Sequence, residues 1–115
     1  MKRKRIPTYN DGYLLVCERR PGEDFTVRNP RRKSDMQPVL KLAYEEKSRR
    51  DQDIEFAESA GRSLSMKLKT RLRQTVNNTH MVIIGNVLYS ILKLDYDRAN
   101  NEMYFYLEEA KVFAE

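Results

Sequence analysis

Few side chains here have the chemistry of a catalyst. The single cysteine, Cys17, cannot close an internal disulfide, and together with His80, the single histidine, it falls short of the four ligands of a structural zinc site. Cys17 therefore reads as a small packed hydrophobe in a reducing compartment, and His80 as a turn residue. No phosphate-binding loop, dinucleotide turn, zinc-protease histidine pair or nucleophile elbow is present, and Gly12, Gly22, Gly61 and Gly85 are too scattered to cradle a phosphate. The carboxylates Glu45, Glu46, Asp51, Asp53, Glu55 and Glu58 include no pair whose spacing marks an acid–base couple. Their neighbours Lys47, Arg49 and Arg50 fit a solvated or subunit-facing helix instead. The expectation is a protein that is not an enzyme and takes no cofactor, metal or small molecule.

What remains is charge. Residues 1–33 hold ten bases against four acids and the rest of the chain twelve against thirteen, so the whole excess of +5 lies in the first third. Lys2 to Arg5 form a basic arm within residues 1–11, and Arg28, Arg31, Arg32 and Lys33 fall in a long loop, 19–38, rich in turn residues. A third group is periodic: Lys67, Lys69, Arg71 and Arg73 alternate with Leu64, Met66, Leu68, Thr70 and Leu72, which puts four cations on one face of a strand. Such a row gains from counterion release near a polyanion without touching bases. It serves equally as a solvated face, or as a partner for acids of an adjacent subunit. Tyr104 and Tyr106 alternate with Met103, Phe105 and Leu107, so one face fills a core while the other exposes two aromatics for base stacking or for an interface.

These residues need elements to hold them. Gly12 to Glu18 has room for a short strand, and Leu40, Leu42 and Tyr44 alternate with Lys41 and Glu45 in a second one starting near Val39. Residues 45–61 then lose the period of two. The pairs Glu45/Arg49 and Glu46/Arg50 at i,i+4 predict a polar helix of about four turns, with Gly61 at its C-terminal cap. Leu64 to Arg73 is a strand. Met81 to Ile84 and Val87 to Leu94 flank Gly85-Asn86 as a tight hairpin, and Glu102 to Glu109 follows the turn at Asp97 to Asn101. Six short strands without a βαβ rhythm predict a mainly β fold: a small antiparallel β-barrel over residues 12–115, with one inserted helix and a long basic loop. The longest apolar run, Met81 to Ile84, is far too short to span a bilayer, and no apolar segment follows the basic start, so neither a membrane nor export is expected.

Read in order, several stretches resemble the small head closure proteins, or head–tail adaptors, of long-tailed bacteriophages. They are Tyr9 to Gly12, Lys41 to Arg50, Asp53 to Glu58, Leu64 to Arg71, Val82 to Ile91 and Met103 to Glu108. The resemblance implies a β-barrel that assembles with copies of itself into a ring below the portal, retains packaged double-stranded DNA through non-specific contact, and offers a platform to the tail protein below. It implies a place in the virion, after assembly in the host bacterial cytoplasm. It further implies that the segments between strands, residues 19–36 with Arg28, Arg31, Arg32 and Lys33 and the helical insert 45–60 with Glu45, Glu46, Arg49 and Arg50, line the channel or reach a neighbouring subunit; Lys67, Lys69, Arg71, Arg73, Tyr104 and Tyr106 are candidates for DNA or subunit contact from their own spacing. Two rivals share the element pattern: a monomeric, sequence-tolerant nucleic-acid-binding barrel, and a tail-completion protein.

Overall fold

Each strand follows from alternation of apolar residues against a common centre. The computed structural model describes residues 9–19 and 32–113. In chain order the elements are β1 (Gly12–Arg19), a short 3-10 turn (Lys33–Asp35), β2 (Met36–Lys47), α1 (Asp51–Ser59), β3 (Met66–Arg71), β4 (Met81–Ile84), β5 (Val87–Asp97) and β6 (Glu102–Val112). All strand neighbours are antiparallel. They run in the order β1-β2-β3-β6-β5-β4, and β4 pairs back onto β1, so a single sheet closes on itself with no free edge. The fold is thus mainly β with a single helix among the described residues, as the alternation predicts.

Leu14, Val16, Leu42, Leu68, Val82, Met103, Phe105 and Leu107 fill the interior, with Tyr44, Tyr89 and Ile91 around them. At 0% exposure, Phe105 is the largest fully buried side chain, and truncating so large a core side chain typically costs about 3–5 kcal/mol. A bulge between Ile91 and Lys93 shifts the phase of β5, so that Leu94 rather than Lys93 packs against the core. At the Gly85-Asn86 hairpin, positive φ is confined to Gly85 at +61°, the conformation of the first central residue of a type II′ turn. On the outer side of β1, β4 and β5, Cys17, Ile83 and Leu88 form a second cluster closed by Met36 and Phe113.

The region after Leu42 departs from the expectation. β2 starts at Met36, inside the expected loop, and runs to Lys47, so Glu45 and Glu46 are strand residues and the helix covers nine residues rather than 45–61. The reason lies across the sheet. Glu45, Glu46 and Lys47 pair with Lys69, Leu68 and Lys67, and the Glu46 N–H donates to Asp11 Oδ2 at 2.7 Å. Ladder bonds and a cross-strand Glu45–Lys69 ion pair outweigh i,i+4 helix pairs worth only about 0.2–0.5 kcal/mol each. Gly61 does end the helix, with φ +70°: its N–H donates to the Glu58 carbonyl and that of Arg62 to Ala57, a Schellman arrangement. β3 is shorter than expected, leaving Leu64 and Arg73 outside it.

Candidate functional site

β3 presents its cations to the outside of the closed sheet, and most of that face is covered. Helix α1 lies over it, packing Ala57 and Ile54 against Leu64, Leu92, Tyr104 and Tyr106. Lys67 is only 3% exposed; its Nζ donates to Asp53 Oδ2 at 3.1 Å and sits 5.6 Å and 5.1 Å from the rings of Tyr104 and Tyr106. Lys69 Nζ lies 3.4 Å from both Glu45 Oε2 and Glu102 Oε2. Arg71 is exposed and stacks over the ring of Tyr9, whose hydroxyl donates to Glu102 Oε2 at 2.7 Å; Arg73 is exposed beyond the strand end. The row of four cations on one open face is therefore corrected: two are enclosed by carboxylates of this chain and two remain exposed.

The reading of Tyr104 and Tyr106 changes for the same reason. Tyr106 is 5% exposed, roofed by α1, and donates its hydroxyl to Asp95 Oδ2 at 2.9 Å; Tyr104 is half-buried beside it. Base stacking on Tyr106 is closed off in this arrangement. The spacing that predicts the helix does not show which wall it covers.

The electrostatics follow from the contacts. Burial raises the Asp53 carboxyl, but the hydrogen bond from Lys67 and the backbone N–H of Arg50 outweigh it and hold the group below its ordinary value. Burial lowers Lys69, and the charges of Glu102 and Glu45 more than reverse that. Glu45 is held low chiefly by the hydrogen bond from Lys47, with Lys69 adding to it. Desolvation and the bond to Glu102 push the Tyr9 phenol up to about 12.

The remaining candidates are dispersed. Arg49 Nη1 donates to the Leu64 carbonyl at 2.9 Å, tying the β2–α1 connection to the segment that leads into β3, and Arg50 is the N-cap residue of α1. Glu46 is exposed on β2. Arg32 and Lys33 are exposed at the 3-10 turn, where the Arg32 N–H donates to Asp35 Oδ2; Arg28 and Arg31 lie outside the described residues, as does the arm at residues 1–8. Between Arg50 and the Asp95–Asp97 end of β5 is a shallow cleft of about 170 Å³, smaller than ordinary ligand pockets of roughly 300–1,000 Å³. No group of three or more metal-ligating side chains occurs among the described residues.

Sequence reasoning missed a different set: the large apolar side chains left outside. Tyr13 is 64% exposed, Phe56 44%, Val39 37%, and Tyr96 and Val112 are also exposed. Tyr13 gave a signal, because it occupies the outward phase of β1 where a polar residue is expected, between Gly12 and the buried Leu14. Phe56 gave one too, since it lies off the stripe that Asp53 and Ala57 bury. No protein-family model and no curated protein matches this chain.

Proposed function

We propose that this chain is a non-enzymatic structural subunit: a head closure protein that forms a ring with copies of itself at the portal–tail junction of a long-tailed phage, retains packaged DNA and carries the tail. The carrying observation is the contrast between its charged and apolar surfaces. The cations that an open nucleic-acid groove requires, Lys67 and Lys69, are engaged with Asp53, Glu45 and Glu102 of the same chain, whereas large apolar side chains stand exposed on its outer walls. Internally neutralised cations release few counterions, so Lys67 and Lys69 contribute little to DNA binding. Exposed aromatics flanked by charge are the ordinary material of protein–protein contacts. Three of the six stretches that carry the resemblance fall on the strand framework: Leu64 to Arg71 covers β3, Val82 to Ile91 spans the β4–β5 hairpin and Met103 to Glu108 lies in β6.

The test has two arms. Fluorescence anisotropy with short single- and double-stranded DNA at physiological salt is expected to show no tight binding by the isolated chain. Cross-linking and mass spectrometry of purified virions is expected to find the chain in several copies, linked to the portal protein. Tight, salt-dependent binding by the lone chain establishes the nucleic-acid-binding rival, and cross-links to the tail tube alone establish the tail-completion rival.

A further inference from the structure

Helix α1 rests on the sheet by a narrow apolar footing. Of its nine residues only Asp53 and Ala57 are buried and Ile54 is half-buried, and irregular chain at 48–50 and 60–65 joins it to β2 and β3. The connection after the helix is fastened to β6 instead: Arg62 Nε and the Ser63 N–H donate to the two carboxylate oxygens of Glu108, at 2.5 Å and 2.6 Å. A short helix with so little buried apolar surface belongs to the low-stability end of a structure, and the anchored connection gives it a pivot.

Beneath it runs a row of lysines. Lys47 of β2 is the ladder partner of Lys67 of β3, Lys67 that of Tyr106 of β6, and Tyr106 that of Lys93 of β5, so one line across four strands carries three cations and no acid. The acids of this wall fall in the next rows, Glu45, Lys69, Tyr104, Asp95 and then Arg71, Glu102, Asp97. Like charges directly opposite one another weaken a sheet, and Lys47 faces Lys67 here. Lys47 reaches along its own strand to Glu45 at 3.1 Å, and Lys93 lies 3.8 Å from Asp95; both lysines are half-exposed. Lys67 is enclosed, and among the described residues the one carboxylate within ion-pair distance of it is Asp53. That carboxylate arrives on a helix with four acids and no base.

Deepening the ring reading above, on which it rests, we infer that the wall under α1 is a masked site for the DNA backbone: α1 is a flap whose Asp53 occupies the place of a phosphate on Lys67, and lifting it presents Lys47, Lys67 and Lys93 to the packaged duplex. A phosphate oxygen accepts from Lys67 Nζ as the Asp53 carboxylate does, so the amine exchanges one charge-assisted hydrogen bond for another, and the DNA releases counterions to the lysine row. The site reads no sequence, because amines on a sheet face reach phosphates and not base edges. The closed flap keeps the isolated chain off DNA, and opening in the ring supplies the site where the DNA lies.

Two measurements test this. Replacing residues 51–59 by a Gly/Ser linker of equal length is expected to raise the affinity for short duplex DNA, read by fluorescence anisotropy, by about tenfold or more, and to steepen the fall of log K with log salt by about one to three units. Adding Lys67→Met to that variant is expected to remove most of the gain. In the otherwise unaltered chain, Ala57→Cys puts a thiol on the side of α1 that faces the wall. Iodoacetamide is expected to label it much faster than the buried Cys17, and faster still with duplex DNA at low salt, since a ligand of the open state raises its population. A folded linker variant that binds no better than the wild type, or an introduced thiol labelled as slowly as Cys17 with and without DNA, overturns the masked site and leaves the ring reading to the virion cross-links. Displacement of the duplex by poly-glutamate at equal charge overturns the assignment to DNA and gives the wall to an acidic protein. A gain in affinity for a chain that virions lack overturns the ring reading and not the masked site.

Discussion

Asp53 Oδ2 accepts from two donors, Lys67 Nζ and the backbone N–H of Arg50, each at 3.1 Å, so one carboxylate both caps α1 and anchors it to β3. Removing one member of such a buried pair leaves the other charged and unpaired, at a typical cost of about 3–5 kcal/mol. Asp53→Ala and Lys67→Met are therefore each expected to lower stability by about 3 kcal/mol in urea unfolding. The double variant Asp53→Leu/Lys67→Met is expected to recover most of it, because burying two apolar groups avoids the desolvation of both ions. Strictly additive losses would show that the pair contributes nothing as a pair. Cys17 gives a second residue-scale expectation. Burial pushes its thiol up to about 12, and the S–H points to the Met81 carbonyl at 3.5 Å. Only the thiolate is a nucleophile, so labelling by iodoacetamide at neutral pH is expected to be slow in the folded chain and fast in denaturant. The labelling rate then reports opening of the β1–β4 region, and a burst of labelling in the native protein would contradict the packing described.

At the scale of elements, what the sequence disclosed depended on whether the deciding partner was near or far in the chain. The hairpin at Gly85-Asn86, the alternation of Met103, Phe105 and Leu107, and the cap at Gly61 are local devices, and each appears where its spacing puts it. The β2–α1 boundary is not local. Glu45 to Lys47 carry helix-forming residue types, but their fate is set by pairing with Lys67 to Lys69, some twenty residues onward. The cations of β3 were legible as one face of a strand, while their enclosure depends on carboxylates from α1, β2 and β6 that no period in β3 reveals. The exposed Tyr13 and Phe56 were legible only as residues out of phase with their own elements.

The whole molecule responds to pH through groups whose shifts point the same way on each limb. Asp53, Glu45 and Glu108 are held below the ordinary carboxylate value, Glu108 chiefly by the Ser63 backbone N–H and then by Arg62. A group lowered in the folded state contributes stability that is complete above its unfolded value, about 4, and is lost as pH falls through its folded value. On the alkaline side the shifts are upward: Lys69 through Glu102 and Glu45, which overcome burial, and Tyr9, to about 12, through burial and Glu102. A group raised in the folded state contributes stability that is complete below its unfolded value, about 10, and is lost as pH rises through its folded value. Urea midpoints are thus expected to be flat from about pH 5 to 8, above which the Cys17 thiol ionises first in the unfolded chain, and to fall on both sides. Asp53→Asn should shallow the acid limb and leave the Lys69 and Tyr9 contributions to the alkaline one unchanged, because these draw on Glu102 and Glu45, while the raised Tyr106 phenol loses only the small part of its shift that the Asp53 charge supplies. An acid limb of unchanged slope in that variant would move the origin of acid unfolding away from the α1–β3 contact and onto the other carboxylates.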